Sequence, residues 1–266
     1  MVVLRKGMVE SFVEQVQANG CLTFRQTEIG EGAYVRKAVS EALRRLQVAG
    51  KVRRVSRKSD FFVIVPPEFR AMGAPPVDWW LDDLMRHLGL PYYVGLMTAA
   101  AWHDSSHFAL METQVVVPAN RKLLNVGRTV IRFFASAAVS AAPAEIRTTR
   151  WGRVRVSAPA TTLVDIAEHP GFGPVRLAMV AADLVSKLNA PGLIAALDAS
   201  GSIPTAQRIG YVLDSLGASA LARGVEKWIG DRPVRTVKLD PGAPKKSAVA
   251  ANWRVDVNVD LGEVIG

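Results

Sequence analysis

Residues 33–65 read AYVRKAVSEALRRLQVAGKVRRVSRKSDFFVIV, and two periods run through the stretch. Up to Val48, the residues Val35, Val39, Ala42, Leu43 and Leu46 recur at three- and four-residue spacing, which predicts a helix with one apolar stripe. Gly50 stops that helix. Residues 51–54 and 61–65 then predict two strands, joined by the polar loop Ser56-Arg-Lys-Ser-Asp60.

Working outward, residues 8–18 carry Met8, Val9, Phe12, Val13 and Val16 at helical spacing and end in Asn19-Gly20. Leu22-Thr23-Phe24 leads into a short second helix predicted near residues 25–29, with Gly30-Glu31-Gly32 as the turn before the helix at 33–48. Helix, helix, helix, hairpin is the order of a winged helix-turn-helix. The charge fits that reading. Between Arg36 and Lys58 stand nine Lys or Arg and one acid, Glu41, a net +8 in 23 residues against +9 for the whole chain. A compact cationic surface on this frame suits the phosphate backbone of a DNA duplex.

Within this cluster Arg36, Ser40 and Arg44 follow one another at four-residue spacing and share a helix face away from the apolar stripe. The second helix of a helix-turn-helix motif enters the major groove, where an Arg can fork onto guanine. Lys37 and Arg45 lie nearer the edge of that face and are assigned to phosphate, with Glu41 as an alternative partner for Arg45. Arg53, Arg54, Arg57 and Lys58 fall on the wing, near backbone or minor groove. The bland alternative is a solvated helix face, which the nearly uniform sign of the charge argues against.

A chain of 266 residues with 49% apolar composition is long enough for two domains with a substantial core. The single Cys21 excludes an intrachain disulfide and a four-cysteine zinc site, and fits a reduced cytoplasmic setting. The apolar run at the start is too short for a signal peptide. The most apolar stretch, residues 88–102, is interrupted by Gly89, Pro91 and Gly95 and falls short of the ~20 residues that span a bilayer. Pro66-Pro67 and Pro75-Pro76 bracket a segment without a period. The expected division is therefore a winged helix over residues 1–70, a linker over 71–78 and a mixed α/β domain over 79–266, an α+β chain overall.

In the second domain, Asp78 is placed to cap a helix with Trp80, Leu81, Leu84, Met85 and Leu88 on its apolar face. A short helix near 95–103, strands at 113–117 and 130–134, a hairpin over 146–156 and a helix from Ser157 through Ile166 follow. Residues 175–229 read as mostly helical, with breaks at Pro191-Gly192, 201–204 and Gly217. Residues 253–259 alternate, with Val255, Val257 and Val259 on one face and Arg254, Asp256 and Asn258 on the other.

Motifs for chemistry are sparse. His103 and His107 stand four apart, a spacing that can bind zinc, but the acid between them is the short Asp104 and no third ligand follows nearby. No P-loop and no Gly-x-Ser-x-Gly elbow occurs. Adjacent Asp82 and Asp83 point about 100° apart on a helix and make no acid–base pair by themselves. Arg147, Arg150, Arg153 and Arg155 concentrate charge around Trp151 in the predicted hairpin. Gln207-Arg208-Ile-Gly-Tyr211 reads as helix packing plus a surface Arg. Neither catalysis, a metal nor a cofactor is expected.

A set of motifs in order along the second domain resembles the AbiEi antitoxins of bacterial abortive-infection toxin–antitoxin systems. They are Pro91-Tyr-Tyr-Val-Gly-Leu96, Ala101-Trp-His103 with Ser106-His107, and Gln114-Val-Val-Val-Pro118. Gly152-Arg-Val-Arg-Val-Ser157 with Pro159 and Leu163-Val-Asp165, then Gln207-Arg-Ile-Gly-Tyr-Val-Leu213 and Trp253-Arg-Val-Asp-Val-Asn258, complete the set. Each is weak alone; their order and spacing across residues 5–260 carry the likeness. The resemblance implies a winged helix that binds inverted repeats in double-stranded DNA upstream of its own operon and represses it. It also implies a C-terminal domain that counters a nucleotidyltransferase-like toxin without a stable complex, the type IV pattern, and it makes the histidine pairs fold-defining rather than metal-binding. No antitoxic residues follow from it. The wing is more basic than the resemblance calls for, and an operator-specific repressor needs base readout as well as charge. The competing expectations are a ligand-responsive transcriptional regulator with a sensing C-terminal domain and, more remotely, a metal-dependent enzyme acting on nucleic acid.

Overall fold

The computed structural model describes residues 7–30, 33–105 and 111–262. Glu31, Gly32, Ser106 and His107 lie outside the described residues, as does the side chain of Val35. The chain opens with helix α1 (Met8–Ala18), strand β1 (Thr23–Arg25), helix α2 (Ala33–Val48) and strands β2 (Val52–Arg54) and β3 (Phe61–Ile64). Helix α3 (Leu81–His87), strand β4 (Tyr93–Val94), helix α4 (Leu96–Trp102) and strands β5 (Thr113–Val117), β6 (Leu124–Val126) and β7 (Thr129–Ala135) follow. Strands β8 (Ala144–Thr149) and β9 (Gly152–Ser157) precede helices α5 (Pro159–Glu168), α6 (Gly173–Leu184), α7 (Ala190–Ser200), α8 (Ile203–Ser215) and α9 (Ser219–Ile229). Three short strands close the order, β10 (Val237–Lys238), β11 (Val249–Ala250) and β12 (Val255–Asp256). The chain is α+β, as its patterns predict.

Two compact units divide these elements. One joins Met1–Tyr92 with Met111–Ala135 and Ile146–Arg155; the other joins Tyr93–Leu110, Ser136–Glu145 and Val156–Gly266. The chain thus returns to the first unit twice after residue 92, where composition pointed to a single crossing at 71–78. Compositional shifts mark linkers, whereas a return by strand or hairpin leaves no such mark.

In the first unit, β1, β3 and β2 form an antiparallel sheet in that order, with Phe24 opposite Phe62 and Val52 opposite Ile64. The alternation puts Phe24, Phe62, Val52 and Ile64 on the core face. There they meet Val9 and Val13 of α1 and Val39, Ala42, Leu43 and Leu46 of α2. The rings of Phe24 and Phe62 stack at 5.4 Å. Trp79 and Trp151, 72 positions apart in the chain, pack against this same cluster. The predicted second helix is instead a single 3₁₀ turn, Gln26–Glu28, because β1 runs on to Arg25 and only three residues remain before Ile29 caps the turn. Asp78 does not cap α3; it sits in a 3₁₀ turn over Val77–Trp79, and Trp80 precedes the helix without a side-chain cap.

Strand β5 pairs parallel with β7, and β6 pairs antiparallel with β7 through a two-residue turn at Gly127-Arg128. Strand β6 went unrecognised in the sequence because its three residues carry too little periodicity to register. Gly127 has φ of +63°, as the first position of such a turn requires.

In the second unit α5 is buried on nearly every side, from Ala160 through Ala167, and packs against α4, α6, α7 and α8. A helix buried all round is a central helix, and Thr161, Thr162 and Asp165 are buried with it. Strands β10 and β11 flank β12. Regular strand covers only Val255–Asp256 of the predicted 253–259 run, and of its polar residues Arg254 is exposed while Asp256 and Asn258 are buried. Buried Asp256 accepts the backbone N–H groups of Lys246 and Ala248, and the amide of buried Asn258 donates to the carbonyls of Asp240, Ala243 and Pro244. These side chains hold the 240–248 loop in place of a longer ladder. Among the described residues, no helix is long and apolar enough to cross a membrane.

Candidate nucleic-acid interface

The cationic residues singled out from the sequence separate into three environments in the first unit. On α2, Arg36, Lys37, Ser40, Arg44 and Arg45 are all exposed, because the buried stripe at Val39, Leu43 and Leu46 turns the opposite face outward. At the tip of the β2–β3 hairpin, Arg57 and Lys58 are exposed. Arg53 and Arg54, inside β2, are half-buried and engaged within the protein.

Partners refine the α2 face. Glu41 pairs with Arg44 rather than Arg45, through contacts of 2.8 and 3.1 Å. The three-residue offset brings the two ends together, while Arg45 acts on Glu41 only at a distance. The hydrogen bond and charge of Arg44 hold the Glu41 carboxyl below its ordinary pKa, and Glu41 in turn raises that of Arg44. Ser40 Oγ accepts a 2.6 Å hydrogen bond from Gln26 Nε2. Gln26 Oε1 in turn accepts from Arg54 Nη2 at 3.3 Å, and the Arg54 guanidinium lies 4.9 Å from the centre of the Phe62 ring. A chain of polar contacts therefore runs from the hairpin through Gln26 to the exposed face of α2. Arg53 Nε donates to the carbonyl of Gly73 at 3.4 Å.

Gln26 is the residue that sequence reasoning missed. A polar side chain in the turn ahead of a basic helix was its one available signal. Arg70 and Arg128 were missed as well: both are exposed in the first unit, and with Arg53, Arg54 and Arg57 they line a shared recess. Arg128 lies 70 positions beyond Lys58, so no window on the sequence joins it to the cluster.

A second basic surface lies on the Ile146–Arg155 hairpin of the same unit. Arg147, Arg150 and Arg153 are exposed, and Arg150 lies 5.7 Å over the Trp79 ring, itself 6.3 Å from Trp151. Asp82 and Asp83 share Arg86, and they also accept from Tyr92 and Thr23 respectively. Each carboxylate is thus spoken for in holding the fold.

In the second unit, His103 is buried and its Nε2 lies 2.7 Å from the carbonyl oxygen of Ser157. That bond ties the end of α4 to the end of β9. No three His, Cys, Asp or Glu side chains among the described residues are placed to hold a metal. Asp165 is buried, and its Oδ1 accepts from Tyr93 at 3.0 Å while Oδ2 has no hydrogen-bond partner among the described residues. Desolvation drives its pKa well above the usual carboxylate value, and burial likewise raises that of Tyr93. Gln207 is buried and donates to the carbonyls of Arg235 and Trp253, and Arg208 donates to that of Lys238. Arg208 is therefore half-buried structure rather than a free surface cation.

Residues 93–215 match the family model of the AbiEi antitoxin C-terminal domain. Among solved structures, the RV2827C protein from Mycobacterium tuberculosis superposes with a TM-score of 0.62 at 17% identity, over 93% of this chain and 90% of that one. At that identity the likeness is one of fold. No curated protein matches the chain.

Proposed function

We propose that the chain, whose residues 93–215 match the family model of the AbiEi antitoxin C-terminal domain, is a cytoplasmic antitoxin of a toxin–antitoxin system that also represses its own operon. Residues 1–70 act as a winged helix on double-stranded DNA, at inverted repeats in the promoter. The observation that carries this is topological and electrostatic together. The element order α1, β1, 3₁₀ turn, α2, β2, β3 with sheet order β1-β3-β2 supports the winged-helix reading, as does the exposure of Arg36, Lys37, Ser40, Arg44 and Arg45 on α2. In this arrangement Arg36, Ser40 and Arg44 face bases, while Lys37, Arg45, Arg57 and Lys58 face phosphates. Arg53 and Arg54 stiffen the hairpin and contribute charge. The second activity, neutralising a nucleotidyltransferase-like toxin without a stable complex, is assigned to the antitoxin domain.

Gel-shift titration of the chain on DNA from upstream of its gene, against scrambled DNA of equal length, tests the reading across a salt series. Expected are a preference of about a thousandfold and a log–log salt slope of several units. Equal affinity for both DNAs would reduce the surface to an anchor, and no binding to either would end the repressor reading.

A further inference from the structure

A recess of about 580 Å³ beside the β2–β3 hairpin is lined by Arg53, Arg54, Arg57, Arg70 and Arg128, and no Asp or Glu lines it. Two glycines build it. A Cβ on Gly127 would lie 2.5 Å from the Met72 carbonyl oxygen, and one on Gly73 would lie 3.0 Å from both the Gly127 Cα and Arg53 Nη2. Only bare backbone lets the Gly127-Arg128 turn close on Met72-Gly73, where Arg128 N–H donates to the Met72 carbonyl at 2.8 Å. That closure brings Arg128 to the same recess as Arg53, from a distance of 75 positions in the chain. Gathering five like charges is unfavourable without a counter-charge, and the side chains of Arg57, Arg70 and Arg128 have no hydrogen-bond or ion-pair partner among the described residues.

We propose that this recess binds a polyphosphate anion, and that binding there opposes the binding of DNA. Guanidinium forks match phosphate oxygens in pairs, so several forks around one recess favour a ligand with several linked phosphates over a single one. No aromatic side chain lines the recess, so a nucleoside would find no stacking platform and the phosphate chain itself is the recognised part. The antagonism has two physical sources. Arg53, Arg54 and Arg57 belong to the hairpin that the proposed winged helix lays on DNA, so their charge cannot neutralise both partners. Arg54 is also bonded through Gln26 to Ser40 on the exposed face of α2, so a ligand that takes Arg54 Nη2 from Gln26 loosens that face. The anion site stands on its own geometry; the antagonism rests on the DNA-binding reading.

The test is calorimetric titration of the full chain with inorganic tripolyphosphate, and with orthophosphate and sulfate at matched ionic strength. Saturable one-to-one binding of tripolyphosphate, at least about tenfold tighter than of either single anion, is expected. R70A with R128A, two exposed positions outside the proposed DNA contacts, should abolish that binding while keeping operator affinity within about fivefold. Tripolyphosphate should then displace operator DNA from the unaltered chain but not from this variant. Absent saturation, or undiminished binding by the variant, overturns the site. Parallel loss of DNA and tripolyphosphate binding also overturns it, by making the recess part of the DNA track. If the unaltered chain binds no DNA at all, the antagonism falls with the repressor reading, and the calorimetry still decides the anion site.

Discussion

On the exposed face of α2, Arg44 is not a bare cation; its guanidinium is held 2.8 Å from Glu41. Because Arg44 holds the Glu41 carboxyl below its ordinary pKa, that acid stays ionised wherever the protein is used and stands at the centre of the proposed DNA face. A duplex must displace it from Arg44 and tolerate its charge. E41A is therefore expected to raise affinity for DNA of any sequence about fivefold at low salt, with the gain shrinking as salt rises. An unchanged affinity would place α2 away from the backbone. Asp165 poses the opposite problem, since its carboxyl is buried with its folded pKa raised well above the unfolded value near 4. A group raised in this way lends stability below the unfolded pKa and withdraws it as pH climbs through the folded one. Urea unfolding should show the chain losing stability as pH rises above about 4, and D165N, neutral throughout, should flatten that decline despite a uniform offset from its unpartnered amide. An identical slope in both proteins would assign the decline to other groups.

Two helical glycines set a test at the level of elements. Gly210 in α8 faces the indole of Trp253, and a Cβ there would come within 2.0 Å of the ring. Trp253 anchors its end of the chain through an indole N–H bond to Asp214, also on α8, so the ring cannot simply swing aside. G210A should cost about 2–3 kcal/mol, the upper part of the range for overpacking a filled site. Gly224 in α9 is different: its added Cβ would meet only Ala190 Cβ at 3.5 Å, an ordinary contact. G224A should stabilise the protein by roughly 0.5–1 kcal/mol, the helix penalty of glycine relieved. Thermal unfolding of the pair reads both signs, and equal effects would contradict the packing described for α8. The same elements show what a sequence discloses. The stripe on α2 was legible because it buries one regular face against one core, and β3 because it is a short apolar run, buried at every position. The roles of Asp256 and Asn258 were not, because both spend their polar groups on a loop whose path no period records. Gln26 was hidden for a related reason: its partners, Ser40 and Arg54, are fixed by folding and not by spacing.

At the level of the whole chain, charge and connectivity give different instructions to the experimenter. The charge is concentrated before residue 60, which invites removal of residues 1–70 to separate repression from antitoxicity. The fold argues against that cut. Trp79 and Trp151, which a truncated chain would keep, pack against the cluster of Val9, Leu43 and Phe62 that it would lose. Two indoles would then lose their apolar partners and face water, and exposed apolar patches of that kind favour aggregation. We expect residues 71–266 alone to aggregate or to unfold at lower temperature than the intact chain. Surface substitution is the cleaner instrument. R36A with K37A and R44A changes three exposed side chains and no buried contact, so the fold should hold within about 1 kcal/mol. In cells carrying the cognate toxin and a promoter reporter, this variant should release repression while still protecting growth. Its unfolding temperature should match that of the parent, which shows that the released promoter reflects lost contacts with DNA and not a lost protein. Should growth protection disappear in the folded variant, the antitoxic activity would itself run through the basic face of α2, and the division of labour between the two parts of the chain would have to be redrawn.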